Sequence, residues 1–180
     1  MIEHVPDFVS FLRQCEALLK ADGVLSLVIP DKRYCFYYFS PTTSTGNVLD
    51  AWAEKRVRPS ACQVFDYIAN AAKRNGHIAW GPDGKGGADG LIHTLEQAKN
   101  LWACSGSTRD YIDTHCWRFT PTSFHLILSD LRELNLINLN IKAEFDTAGC
   151  EFYVSLSKCV ENVKPQDRLS SLQKRKIEDA

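Results

Sequence analysis

Residues 24 to 29, Val-Leu-Ser-Leu-Val-Ile, form an apolar run of strand length that Pro30 ends. The run is too short for an ordinary helix, and such nearly continuous runs suit a strand covered on both faces by helices. Just before it, Phe8, Phe11, Leu12, Cys15, Leu18 and Leu19 recur at helical spacing. Pro6 suits a first helical turn and Asp22-Gly23 suits the exit, so a helix is expected from about Pro6 to Lys20. The opening therefore reads as helix, tight turn and buried parallel strand, which points to an α/β fold.

Beyond the strand, Pro30-Asp31-Lys32-Arg33-Tyr34 and the aromatic cluster Phe36, Tyr37, Tyr38 and Phe39 leave the sheet at its carboxyl end. Open α/β sheets place their ligands there. Helices are expected over about Asn47 to Lys55, Ala61 to Arg74 and Leu91 to Cys104, with Asp110 to Phe119 extended. Between them GPDGKGGADG, residues 81 to 90, holds five glycines in ten and reads as a mobile loop. A phosphate loop would need Ser or Thr after Lys85 and a strand before it, whereas Gly86 follows. Thr120-Pro121 supplies a cap and first-turn proline for a helix with Phe124, Ile127, Leu128, Leu131 and Leu134 on one face, ending near Asn135. Ile137, Leu139, Ile141, Ala143 and Phe145 then alternate, as do Phe152, Val154 and Leu156 after the Asp146 to Gly149 turn. That pattern predicts a closing antiparallel hairpin. From about Glu161 the sequence is polar and charged, with room for a short helix in a solvated tail.

Composition narrows the function classes. A chain of 180 residues with 44% hydrophobic and 24% charged residues fits one globular domain. The net charge of -1 gives no electrostatic case for nucleic acid or an anionic membrane as partner. No apolar run approaches the roughly 20 residues that span a bilayer, and no secretory pattern opens the sequence, so a cytoplasmic location is expected. Seven scattered cysteines, without a C-x-x-C pair, read as free thiols in a reducing compartment.

The E-H-V-P-D opening, the amphipathic helix ending in L-K-x-x-G, the buried strand and the following P-D resemble class I S-adenosylmethionine-dependent methyltransferases. The similarity is to the region after that family's fourth strand, and it is strongest to the bacterial small-molecule branch with a methyltransferase type 11 pattern. PDKRY, YIDTHCWRFTP and the final helix and hairpin fit it too, the hairpin corresponding to the sixth and seventh strands. The resemblance covers roughly residues 1 to 159. It implies a partial Rossmann-like methyltransferase fold: a parallel strand plus a C-terminal antiparallel hairpin packed with helices. Residues 1–160 would form the carboxyl-terminal part of the domain, with 31–118 as a helical insertion and substrate region and 161–180 as a polar tail.

The family's glycine-rich cofactor turn and its ribose-binding acidic residue would both lie upstream of Glu3. The sequence is thus expected to be the carboxyl-terminal half of a methyltransferase acting on a small molecule or surface sugar. The alternative is a non-catalytic remnant or subunit. S-adenosylmethionine is the implied cofactor if an amino-terminal half is supplied. In the family, the strand equivalent to Val24 to Ile29 lies between the fourth and seventh strands. Without the fourth, its edge would be a template for another chain, so a homo-oligomer or a partner chain is expected to cover it.

The resemblance places Ile2, Glu3 and His4 on the cofactor side and makes His4 a catalytic candidate. Some relatives hold a divalent metal with an E-x-x-E-H pattern, but the earlier glutamate would fall before Met1, so no metal is expected. His115, in Tyr111-Ile112-Asp113-Thr114-His115-Cys116-Trp117, is the best candidate base. Asp113 could orient it only if the segment bends, because i and i+2 stand about 7 Å apart in a regular strand. Asp31, Arg33, Tyr34 and Tyr37 are the candidate substrate contacts, Arg33 being able to grip a carboxylate or phosphate in a fork. His77, Trp80 and His93 flank the glycine loop as possible lid residues, and need no function there.

Overall fold

Asp7 starts the first helix, α1 (Phe8–Leu18), by accepting a hydrogen bond from the Ser10 amide at 2.9 Å. Phe8, Val9 and Leu12 are buried on its inner face. The computed structural model describes residues 1–83, 86–108, 110–158 and 167–179. A 3-10 turn at Ile2–His4 precedes α1, and strand β1 (Val24–Pro30) follows it. A second 3-10 turn (Lys32–Tyr34), α2 (Thr45–Ala53), α3 (Ala61–Ala69), β2 (Ala72–Lys73), β3 (Gly90–Leu91) and α4 (Leu95–Ser107) make up the middle of the chain. Helix α5 (Pro121–Glu133), β4 (Leu139–Ala148), β5 (Glu151–Lys158) and α6 (Arg168–Glu178) close it.

The main sheet has the order β1-β5-β4, and both neighbours run antiparallel to β5. The parallel pairing expected for Val24 to Ile29 is therefore corrected: β1 pairs only with β5 among the described residues, from Val24 opposite Ser157 to Pro30 opposite Glu151. A parallel bridge between Asp31 and Phe119 lies just past its end. Burial on both faces is corrected as well. Leu27 and Ile29 are buried, but Val24 and Val28 are 41% and 47% exposed, so one sheet face is covered and the other is open. A short apolar run cannot announce this, because its hydrophobicity reports what could be covered on each face rather than what is. The outer edge of β1 has no strand partner among the described residues.

The covered face meets α1 and α5. Phe8, Phe119, Phe124 and Phe152 stack edge to face or tilted with centroids 5.3 to 6.1 Å apart. Leu27, Ile29, Val154, Leu156 and Leu131 complete this core. Edge-on packing of rings at such spacings adds about 0.5 to 1.5 kcal/mol per pair beyond buried area. Helix α5 begins as expected, with Thr120 capping Ser123 and proline in its first turn, and it gives way to Asn135 in a left-handed conformation, φ 56°.

Elsewhere the boundaries shift for local reasons. Helix α3 stops at Ala69 because the chain turns at Asn70 into the two-residue strand β2, which pairs with β3. Helix α4 starts later than expected, where Thr94 and Gln97 form a capping box. Of the glycine loop, Gly84 and Lys85 lie outside the described residues. Gly87 passes so close to Tyr38 that a Cβ there would lie 2.6 Å from the phenol oxygen. The expected polar tail includes α6, whose Arg168 reaches Asp130 of α5 at 2.8 Å; residues 159–166 lie outside the described residues.

Cys15, Cys35, Cys62, Cys104, Cys116 and Cys150 are all free thiols. Burial pushes Cys35 and Cys116 up to about 12, whereas Cys62 and Cys104 are exposed. Because the thiolate is the reactive form, native protein treated with a thiol reagent at pH 8 should label Cys62 and Cys104 quickly and Cys35 and Cys116 only after unfolding. Peptide mapping by mass spectrometry reads this, and rapid native labelling of Cys116 would contradict the packing described.

Candidate functional site

The extended segment 111–119 ties the two ends of the site together. Its Cys116 amide donates to the Glu3 carbonyl at 2.6 Å, the Trp117 indole N–H donates to the Val5 carbonyl at 2.6 Å, and the Phe119 carbonyl accepts from the Lys32 amide at 2.8 Å. The 3-10 turn at Ile2–His4 is thereby held beside the chain that leaves β1. Ile2 is buried in the core, so of the three expected cofactor-side residues it serves packing, while Glu3 and His4 face the site.

Glu3, His4 and His115 converge. The His4 and His115 rings stand 4.3 Å apart at 64°, and His4 Nε2 is 3.6 Å from Glu3 Oε1. Asp113 does not reach His115; its Oδ1 is 2.8 Å from His4 Nδ1. A carboxylate partner makes that nitrogen a donor, and the opposite nitrogen, Nε2, faces Glu3. Regular spacing along an extended segment keeps Asp113 from His115, and its actual partner, His4, lies across the fold. Tyr111 adds a hydrogen bond from its hydroxyl to the His4 carbonyl at 3.2 Å.

His115 sits in an aromatic box. Phe36, Tyr37 and Tyr67 place their ring centroids 5.1, 5.3 and 5.7 Å from its own. Its Nδ1 is buried and has no hydrogen-bond partner. Burial, then repulsion by His4, then by Arg118, lowers its pKa to about 4 against the opposing pull of Glu3. At neutral pH the imidazole is therefore uncharged, with a lone pair available. For Glu3, burial pushes the carboxyl up, but hydrogen bonds from the terminal ammonium and its own amide, with the ammonium's attraction, leave it lowered overall. The ammonium of Met1 meets Oε2 at 2.6 Å, while Oε1 faces His4. Phe36 belongs to the aromatic cluster expected beside a ligand, whereas Tyr67 carried no special sequence signal, since an aromatic residue on a helical segment reads first as core.

The candidate substrate contacts divide. Asp31 is fully buried and its carboxylate is shared by Arg33, through Nε at 2.9 Å and Nη2 at 2.6 Å, and by the Thr147 hydroxyl at 2.7 Å. Tyr37 is buried against His115. Arg33 and Tyr34 line a separate open cleft of about 670 Å³ with Lys32 and Tyr38, bounded on its far side by Glu178 and Asp179 of the α6 end. Lys32 is held below the ordinary lysine range by burial, with Asp179 opposing. Neither His77 nor His93 belongs to the cluster around His115. No helix among the described residues is long and apolar enough to cross a membrane.

No known family model, no curated protein and no solved structure matches the chain.

Proposed function

We propose that this chain forms the acceptor-side portion of a class I S-adenosylmethionine-dependent methyltransferase acting on a small molecule or surface sugar. What supports the reading is the strand order: β1 pairs with β5, the last strand, and not with β4, which precedes it. That is the neighbour the sequence resemblance assigns to the strand. The chain that leaves the carboxyl end of β1 brings Phe36 and Tyr37 against His115 of the Glu3, His4 and His115 cluster.

The cofactor itself does not fit the described residues. Binding it would need a strand, a glycine turn and a helix in that order to bring backbone amides close. Here Gly23 lies in the reverse order, between α1 and β1, and a Cβ there would lie 3.0 Å from the Lys20 amide nitrogen, so its space is already filled by backbone. The carboxylate at the end of β1, Asp31, is buried and engaged. In this reading a second set of strands supplies the cradle and pairs with the open edge of β1, in the same polypeptide or another. The chain's own residues hold the acceptor: the aromatic box excludes water, and the uncharged His115 imidazole within it accepts a proton from the acceptor's hydroxyl or amine. The six cysteines among the described residues are free thiols, which supports a cytoplasmic setting.

The test is a calorimetric titration of S-adenosylhomocysteine into two samples: the recombinant chain alone, and the tagged chain purified from its own cells with whatever accompanies it. The expected result is no heat from the first and saturable binding in the second. Absence of binding from both, in folded samples, would remove the methyltransferase reading.

A further inference from the structure

The geometry of Glu3, His4 and His115 points to a binding site for a first-row divalent cation, held by one carboxylate and two imidazoles. Each residue offers one donor atom, and the three lie within 4.8 Å of one another. In a tetrahedral zinc site with bonds of about 2.1 Å, donors stand roughly 3.4 Å apart. His4 Nε2 and Glu3 Oε1, at 3.6 Å, already have that spacing, and the set as a whole must close from at most 4.8 Å.

Two further features distinguish this cluster from a chance meeting of polar groups. The first is the His4–Asp113 pair. Ligating histidines almost always give their second N–H to a carboxylate or carbonyl, which fixes the tautomer and turns the other nitrogen's lone pair to the metal. Asp113 does this to Nδ1 at 2.8 Å and leaves Nε2 facing Glu3. The second is the orphaned Nδ1 of His115, buried without a hydrogen-bond partner in a box of aromatic rings. Buried polar atoms are nearly always satisfied, so this exception on a residue of the cluster calls for a missing partner.

The charges are compatible. Glu3 and Asp113 bring two carboxylates, while Glu3 Oε2 meets the terminal ammonium and Arg118 stands near His115. Imidazole with one carboxylate suits zinc, cobalt or iron better than magnesium or calcium, whose preference is for oxygen. His4 is about one-third exposed, which gives a path from solvent and leaves room for a fourth ligand. The sequence pattern alone set a metal aside for want of a second glutamate; His115 is the third donor, brought in by segment 111–119. The site stands independently of methyl transfer.

The experiment titrates Zn²⁺ into the full 180-residue chain by calorimetry at neutral pH, with Co²⁺ and its visible absorption as a second readout of coordination. One equivalent should bind, and the cobalt spectrum should show nitrogen and oxygen ligation without a thiolate band. His115→Ala and Glu3→Gln should each remove binding, and Asp113→Asn, which changes a positioning residue, should weaken it by about 10 to 100-fold. Circular dichroism establishes that each variant is folded, and His4→Gln replaces His115→Ala if that one is not. Failure of the folded parent to take up either ion overturns the site. So does binding unaffected by both His115→Ala and Glu3→Gln, which would place the ion on surface thiols such as Cys62. Because neither readout involves S-adenosylhomocysteine, the cation site and the methyltransferase reading can fail separately.

Discussion

Trp117→Ala should lower the free energy of unfolding by about 3 to 5 kcal/mol, the usual cost of truncating a large aromatic side chain in a packed core. The side chain is among the largest that are fully buried, and it packs edge-on against Phe8 at 6.2 Å. Its loss would also orphan the Val5 carbonyl, which accepts the indole N–H at 2.6 Å. Segment 111–119 is otherwise fastened to the opening turn mainly through the Glu3 carbonyl, to which the amides of Cys116 and Trp117 donate. The alanine variant should therefore loosen Glu3 and His4 from His115 and weaken Zn²⁺ binding as well as stability. Trp117→Phe separates the two effects. It keeps most of the packing and gives up only the hydrogen bond, so about 1 to 3 kcal/mol should be lost and ion binding should stay near the parent's. Urea denaturation of the three proteins decides it; a Trp117→Ala protein as stable as the parent would mean that the indole does not fasten the turn.

The same residues show what sequence could and could not deliver. Helix α1, helix α5 and the β4–β5 hairpin were legible because each carries its own instructions: a cap, an apolar stripe, and alternation at period two. The pairing of β1 was not, since antiparallel and parallel neighbours make the same demand on a run of six apolar residues. Only the position of β5, set by the hairpin and the packing of Phe152 on Phe124, decides between them. The site was half legible. Glu3, His4 and His115 stood out as chemistry-bearing residue types, but their meeting depends on three long-range backbone and indole hydrogen bonds that leave no trace in spacing. Asp113 meets His4 rather than His115, its neighbour in the chain, for the same reason. Tyr67 stayed invisible because its task is to surround an imidazole, and nothing in an aromatic residue's neighbours along the chain says what it will surround.

Arg33→Met should cost about 3 kcal/mol and reveal whether the chain leaving β1 is locked by charge. Asp31 is fully buried and receives Nε and Nη2 of Arg33, the Arg33 amide at 3.1 Å and the Thr147 hydroxyl. Removing the guanidinium leaves a buried carboxylate with only two neutral donors, and breaking a buried pair this way typically costs about 3 to 5 kcal/mol. The lower end applies because Arg33 is itself about a quarter exposed. The double change Asp31→Leu with Arg33→Met removes both charges, and should be less destabilising than Arg33→Met alone despite carrying one substitution more. That inversion is the signature of an uncompensated charge, and a double-mutant cycle in urea reads it directly. Costs that simply add would mean the carboxylate is satisfied by Thr147 and the backbone. The outcome also bears on substrate capture. An Arg33 committed to Asp31, with Glu178 3.9 Å from its remaining nitrogen, can grip an acceptor's carboxylate or phosphate only by exchanging one of these partners. If the lock is as strong as argued, Glu178 is the one that yields, because it meets Arg33 at the longer distance and from the end of a helix rather than from inside the sheet.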